Sequence, residues 1–423
     1  MNIVFIFGGM PHYYNDVLNY IKRSGVSLSV ISPKERGKSL GDNVYETDDG
    51  IEFQSIKLNE YKSKDGDLFF NDINSVIKSL NPDVIVVTMA HLPALYKDPS
   101  FRKMISNNNI KILLKDHPFR LSKYTDQERL IRRIRITDIP KAQKLARLIT
   151  IPFLRRFIFS MISPALRFLV IKRRLARLNY YRDIFNFPDG IICYVEEAYE
   201  VFGSYGVPRQ KIFISRNSTN TDAIFDLLNL RNHNYIHSHT IVHIGRLVEW
   251  KRVDLLILSL NELKVKFPDI KLFVLGDGPR KQAWQELSWK LGLQENVQFV
   301  GGVYHLEQIY QYFSQSSLYV LAGMGGLSIN DAMAFRLPVI CSECDGTEKF
   351  LVRDGLTGFY FMPDSHLDLA NKIETFFSLP NNKKEAMSNR AVQVIREEVN
   401  IHTVVASYRN AFDELTKLNR ARQ

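Results

Sequence analysis

Apolar and polar positions along this chain fall into short blocks that recur in one order. "NIVFIF", "VSLSVIS", "DVIVVTM", "IKILLKD", "GIICYV" and "KIFIS" are compact, mostly apolar runs in the first half, and "TIVHIG", "IKLFVLG", "VQFVG", "LYVLA" and "LPVIC" follow in the second. Runs of this length suit strands buried on both faces, the kind found in parallel sheets covered by helices. The stretches between them, such as "INSVIKSLN" and "LEQIYQYFSQ", place apolar residues at helical spacing. The alternation predicts an α/β protein with two doubly wound parallel sheets.

The order starts twice. "NIVFIFGG" leads into "DVLNYIKRSG", and "TIVHIGRL" leads into "VDLLILSLNELKVKF", so each half opens with a strand, a glycine turn and a helix. Between them, residues 216–240 are polar and rich in Asn, without an apolar period long enough for another core strand. The expected domains are residues 1–225, residues 226–398 and a last amphipathic helix within 399–423 that could dock on either. In open sheets of this kind ligands sit beyond the carboxyl ends of the strands, where the glycine turns lie. The two domains are therefore expected to face one another across a cleft.

At 423 residues and 45% hydrophobic, the chain is long enough for two or three buried cores. Three cysteines are too few for a disulfide framework and point to a reducing compartment. Cys341 and Cys344 form a C-x-x-C pair, but zinc needs a second pair that the chain lacks, so packing or loop thiols are expected. The amino terminus reads as a strand with no basic leader, and no stretch approaches 18 uncharged apolar residues, which together predict a cytoplasmic protein.

Charge changes the picture in one place. Residues 120–182 hold 17 Lys and Arg against three acids, a net of +14 in a chain whose formal charge is +11. Within that segment residues 145–178, "LARLITIPFLRRFIFSMISPALRFLVIKRRLARL", mix Leu, Ile and Phe with Arg at helical intervals, and Pro152 and Pro164 are expected to break it. Such a pattern suits a helix lying in the headgroup layer of an anionic membrane. The alternative packs its apolar face on the amino-terminal sheet and leaves the arginines solvated. Nucleic acid is a poor fit, because the arginines are interleaved with aliphatic residues rather than with aromatics suited to base stacking.

The candidate chemistry lies where strands end. Arg246 and Lys251, five positions apart, flank the loop after "TIVHIG", so both cations can converge on an anion at a helix amino terminus. "LAGMGGLSINDAMAF" places Gly323, Gly325 and Gly326 before a helix, where bare backbone can approach a ligand closely. Asp331 falls in the second turn of that helix, and a carboxylate there can accept from paired ribose hydroxyls. His91 and His117 each follow a strand, and Gly8 and Gly9 form the first turn. Asp65 to Asp67, "DGD", reads as a turn rather than a metal site.

The stretches "GRLVEWKRVDLLI", "LGDGP", "VQFVGGV", "GGLSINDAMAFRLPVI" and "VRDGLTGF", with the looser "FGG" and "YGVPRQKIFISRNS", resemble the retaining GT-B glycosyltransferases of family four, the glycosyl transferases group 1. The resemblance implies two Rossmann-like domains and a nucleotide diphosphate-sugar donor. It assigns the donor pyrophosphate to Arg246 and Lys251, and the rest of the donor site to Gly245, Gly276, Gly278, Gly325, Gly326, Leu327 and Asp331. His117 resembles the family's active-site histidine, and Gly8, Gly9 and His91 fall on the acceptor side. The family is thought to react on one face of the sugar, the departing phosphate assisting the incoming hydroxyl, so no protein nucleophile, metal or cofactor is expected. The implied acceptor is a saccharide or lipid-linked saccharide in surface polysaccharide or lipopolysaccharide assembly, at the inner face of the membrane.

One position departs from the family. Two glutamates eight positions apart are usual, and here they are matched by Gly323 and Asp331. The missing glutamate suggests one rival, a nucleotide-binding protein without catalysis; a GT-B epimerase acting on free nucleotide sugars is another.

Overall fold

The structure is a computed structural model that describes residues 1–39, 44–119, 121–132, 152–344 and 346–420. The expectations for residues 120 and 133–151 of the basic segment lie outside the described residues.

Every apolar run named above is a strand. One sheet has the order β3-β2-β1-β6-β7-β8-β9, with β1 at Asn2–Ile6, β2 at Ser27–Pro33, β3 at Gln54–Leu58, β6 at Val84–Thr88, β7 at Lys111–Lys115, β8 at Gly190–Cys193 and β9 at Ile212–Ile214. The other has the order β12-β11-β10-β13-β14-β15, with β10 at Thr240–Ile244, β11 at Lys271–Leu275, β12 at Val297–Gly301, β13 at Leu318–Leu321, β14 at Val339–Cys341 and β15 at Gly358–Tyr360. An antiparallel hairpin, β4 at Glu60–Lys62 with β5 at Leu68–Phe70, stands apart, and Asp65 to Asp67 form its turn. In each sheet the chain runs out to one edge and returns beside its first strand. The reversal falls between β1 and β6 in one and between β10 and β13 in the other.

The second sheet shows why unbroken apolar runs were required. Ile241, Leu272, Val274, Leu318, Val320 and Ile340 face one layer, with Leu256 and Leu260 of the helix Val253–Leu263. Their neighbours Val242, Phe273, Leu275, Tyr319, Leu321 and Val339 face the opposite layer, with Ile329 and Met333 of the helix Leu327–Ala334. Successive strand residues thus alternate between two cores. Burying each such side chain contributes about 1.5–3 kcal/mol.

The chain divides into two compact units, each assembled from separated segments. Gly8–Leu58 and Ser215–Phe412 make one, and Asn2–Phe7 with Asn59–Ile214 make most of the other. In the first unit the Tyr14 and Tyr408 hydroxyls lie 2.7 Å apart. The Asp222 carboxylate accepts from the Tyr20 hydroxyl at 2.9 Å and from His402 Nε2 at 2.8 Å. The polar stretch 216–240 is not bare linker. It carries the helix Thr221–Leu230, capped by Asn220, which buries Ile224, Phe225, Leu227 and Leu228.

Among the described residues the basic segment holds the helices Tyr124–Arg132 and Pro152–Asn186, and the break expected at Pro164 fails. Pro164 removes one ladder bond, a local loss of about 3 kcal/mol, and the Leu, Ala, Arg and Lys around it carry the helix through. The carboxyl-terminal part docks through buried Leu178, Ile184 and Phe185, and Tyr124 donates its hydroxyl to Asn179 at 2.7 Å. Further back, Phe168 and Leu169 are 64% and 60% exposed beside exposed Arg167, Lys172, Arg173 and Arg174. Among the described residues no helix is long and apolar enough to cross a membrane.

Candidate functional site

The site begins where β10 ends. The chain leaves Ile244 through Gly245 and Arg246, makes a 3-10 turn at Glu249–Lys251, and enters the helix Val253–Leu263 through Arg252, whose φ is 50°. Main-chain bonds hold this loop against the one after β11: Gly245 N–H to Leu275 O at 2.9 Å, Leu247 N–H to Asp277 O at 2.8 Å, and Arg280 N–H to Leu247 O at 2.9 Å. Gly276 and Gly278 have no side chains for this reason. A Cβ on Gly278 would stand 2.5 Å from the Leu247 carbonyl oxygen, and one on Gly276 would strike the Gly245 carbonyl.

From the other side of the reversal, β13 delivers Gly323 to Gly326 and then the helix Leu327–Ala334, with Gly326 as its cap and Leu327 as its first residue. Met324 N–H donates to Trp250 O at 2.8 Å, so the two loops touch through main chain. A Cβ on Gly323 would fall on that carbonyl and lie 2.7 Å from the Lys251 carbonyl carbon. No side chain fits at 323 while Lys251 keeps its turn, which gives the missing glutamate a steric cause. Gly325, at φ 134°, has the Lys251 ammonium over its Cα, where a Cβ would collide with it. A Cβ on Gly245 would lie 3.5 Å from the same ammonium. The Lys251 ammonium therefore rests over two bare Cα atoms, one from each loop. Gly326 makes room for the Thr347 side chain in the same way.

The same unit holds the other predicted groups, Arg246 and Asp331. The Arg246 guanidinium is half-buried, 5.9 Å from the Trp250 ring. Its charge also reaches Tyr13, whose phenol is raised by burial and drawn back by Arg246. Tyr13 lies in the first turn of the helix His12–Arg23, which follows Gly8 and Gly9, so that turn belongs to the same unit as Arg246. Asp331 is partly exposed, and its Oδ1 lies 2.5 Å from the Thr219 hydroxyl. Burial pushes its carboxyl up to about 6, against the pull of that hydroxyl. Asn330 fixes Thr219 in turn, accepting its N–H at 3.2 Å while donating to Val399 O at 3.0 Å.

The two histidines lie in the other unit, in unlike settings. His91 is 1% exposed, donates Nε2–H to the Glu60 carboxylate at 2.9 Å, and stacks on Phe70 with centroids 4.7 Å apart. It borders a crevice of about 340 Å³ at the end of β1, with Ile6, Leu68, Phe70, Leu95 and Lys97. His117 is exposed just past β7, 5.6 Å from the Tyr194 ring. Its neighbour Asp116 is pushed up to about 6 by burial.

Sequence reasoning missed Thr347 and Glu348. The buried Glu348 carboxylate accepts from Cys344 N–H at 2.9 Å and Gly346 N–H at 3.1 Å, which holds the loop after β14 so that Thr347 meets Gly326. A glycine followed closely by an acid at a helix start, "GTEKF", was the available signal.

Comparison with known proteins adds the class. The fold is that of the GT-B glycosyltransferases: a solved Anabaena protein, HepE in complex with UDP, superposes with a TM-score of 0.63 at 16% identity, over 98% of this chain and 100% of that one. Residues 233–394 match the family Glycosyl transferases group 1. An uncharacterized glycosyltransferase of Methanocaldococcus jannaschii is 36% identical over 110 residues, 25% of this chain and 26% of that protein. The GDP-mannose-dependent alpha-(1-6)-phosphatidylinositol monomannoside mannosyltransferase of Mycolicibacterium smegmatis is 30% identical over 128 residues, 28% of this chain and 33% of that protein. The chain spans between about a quarter and a half of the length of the curated relatives it matches.

Two outcomes follow from the geometry. Gly323→Glu, which restores the family's usual residue, is expected to lower unfolding free energy by about 1–3 kcal/mol through the clash with Trp250 and Lys251, read from the urea midpoint. Because the Asp331 carboxyl is raised in the folded state, its favourable contribution is complete below about pH 4 and is lost as pH rises through about 6. Asp331→Asn should therefore raise Tm at pH 7.5 and leave it unchanged at pH 4; an equal gain at both would contradict the assignment.

Proposed function

We propose that the chain is a retaining, metal-independent glycosyltransferase that moves a sugar from a nucleotide diphosphate-sugar donor to a saccharide or lipid-linked saccharide. One observation carries the reading: the Lys251 ammonium seated over Gly245 and Gly325 at the point where the second sheet reverses, with Arg246 in the same loop. Ligands of open α/β sheets bind at such reversals, and two cations beside bare backbone suit a diphosphate. The UDP complex of the Anabaena protein and the GDP-mannose named for the mycobacterial relative support a nucleotide donor.

In the proposed reaction the bond between the anomeric carbon and the diphosphate oxygen breaks, and negative charge grows on that oxygen. Arg246 and Lys251 face that charge more strongly in the transition state than in the bound donor, which lowers the barrier. The incoming hydroxyl attacks from the face the diphosphate leaves, passing its proton to the departing phosphate. Asp331, ionised above about pH 6, accepts from the ribose hydroxyls and orients the donor. The role of active-site histidine falls to His117, and that of acceptor-side residues to His91, Gly8 and Gly9, by resemblance to the family alone.

Lys251→Ala is expected to lower kcat by about 3 kcal/mol, on the order of 100-fold, at saturating donor. Near-normal kcat in that variant would refute the role.

The helix Pro152–Asn186 supports a peripheral site on an anionic membrane, since Phe168 and Leu169 are exposed among Arg167, Lys172, Arg173 and Arg174. Each cation near such a surface contributes about 1 kcal/mol. The protein should sediment with vesicles containing phosphatidylglycerol, and joint replacement of Lys172, Arg173 and Arg174 by Gln should abolish this. Equal sedimentation with neutral phosphatidylcholine would rule out the electrostatic part.

A further inference from the structure

We propose that Thr219 is a positioning residue for Asp331: its hydroxyl ties one carboxylate oxygen of that side chain in place, so that the acid accepts from a ribose 2′-hydroxyl and the site prefers ribonucleotides to deoxyribonucleotides. The inference rests on the donor site proposed above and adds to it a residue that the sequence pattern does not single out.

Thr219 lies in residues 215–220, which hold neither helix nor strand and belong to the same compact unit as Asp331. Its own chain holds it from one side. The Thr219 carbonyl accepts from Thr221 N–H at 2.9 Å, and Asn220 caps the helix Thr221–Leu230 that follows. Asn330 holds it from the other. That side chain is fully buried, and its Nδ2 donates to the Val399 carbonyl at 3.0 Å. A carbonyl only accepts, so the amide has a fixed orientation and its Oδ1 faces Ser218 and Thr219. Oδ1 accepts from Thr219 N–H at 3.2 Å, which anchors the Thr219 main chain against the helix that carries Asp331.

The Thr219 hydroxyl has one proton and two acceptors within reach, Asn330 Oδ1 at 3.0 Å and Asp331 Oδ1 at 2.5 Å. The second contact has the length of a hydroxyl–carboxylate bond, and a charged acceptor is the stronger of the two, so the proton goes to ionised Asp331. Ser218 Oγ, 3.0 Å from Asn330 Oδ1, offers that amide a donor in place of Thr219. A carboxylate has about four lone-pair sites, and Thr219 occupies one of them, which leaves acceptor capacity for a ligand. Two torsions aim an aspartate, and a bond to a side chain that is itself anchored selects one aim. A site built to bond a hydroxyl disfavours the analogue that lacks it, because its desolvated acceptor then goes unmatched.

The test uses the whole chain at pH 7.5, where Asp331 is ionised, and measures binding of UDP and GDP and of their 2′-deoxy forms by calorimetry. The ribo form should bind about 10-fold more tightly than its deoxy counterpart. Thr219→Val keeps the shape and loses the hydroxyl, and should cut that ratio about 5-fold; Thr219→Ser should restore it. The ratio, unlike either affinity, is blind to a general loosening of the site. An unchanged ratio in Thr219→Val, or no recovery in Thr219→Ser, overturns the proposal. So does a wild type that binds without preferring ribose, although the diphosphate site would then stand. If the wild type binds none of the four, the proposed function fails. The Asp331 carboxyl 13C resonance, identified with Asp331→Asn, should still move in Thr219→Val, and its indifference overturns the positioning.

Discussion

A single ammonium group in contact with side-chain-free backbone organises the carboxyl-terminal half of this protein. Lys251 reaches across two loops that leave adjacent strands of the second sheet, and it rests where Gly245 and Gly325 leave space. Nearly every unusual residue nearby exists to permit that placement. Gly323 lets the two loops meet main chain to main chain, Gly276 and Gly278 let the neighbouring loop brace the first, and Arg252 takes a left-handed turn to start the next helix. The folded chain sets the cation's place, which is the preorganisation that an electrostatic site requires.

The same region holds two groups that work against folding. A carboxylate with a raised pKa at Asp331 and an unmatched acceptor at His243 each disfavour the folded state. His243 is fully buried on β10 between apolar Val242 and Ile244, while Asp331 is partly exposed on the helix Leu327–Ala334. Groups kept despite disfavouring the fold mark a functional site more reliably than charge alone.

Most of the fold was legible because buried parallel strands must be apolar on both faces. The runs from "NIVFIF" to "LPVIC" could be read for that reason, with β3 and β15 as the exceptions. β3 is half-exposed along most of its length, and β15 is three residues long and begins with Gly358, which sits against the Val339 main chain. Neither leaves an apolar run. At the site, Arg246, Lys251, Asp331 and the glycines could be found from their order along the chain, but the reason for the glycines could not. Their sequence suggests room for a ligand, whereas the structure fills the space over Gly325 with Lys251 and that over Gly326 with Thr347. Pro164 misled because a proline reports a lost bond and says nothing of the helix formers around it.

The discontinuity of the first compact unit bears on how the protein is made. Gly8–Leu58 joins Ser215–Phe412, and Tyr14 meets Tyr408 through its hydroxyl, so partners nearly the whole chain apart must find one another. A ribosome releases the amino-terminal segment long before its mates in Ser215–Phe412 exist, although β2 and β3 can join the first sheet earlier. Assembly of this unit is consequently a late event, completed only after the helix Ile401–Arg420 leaves the exit tunnel.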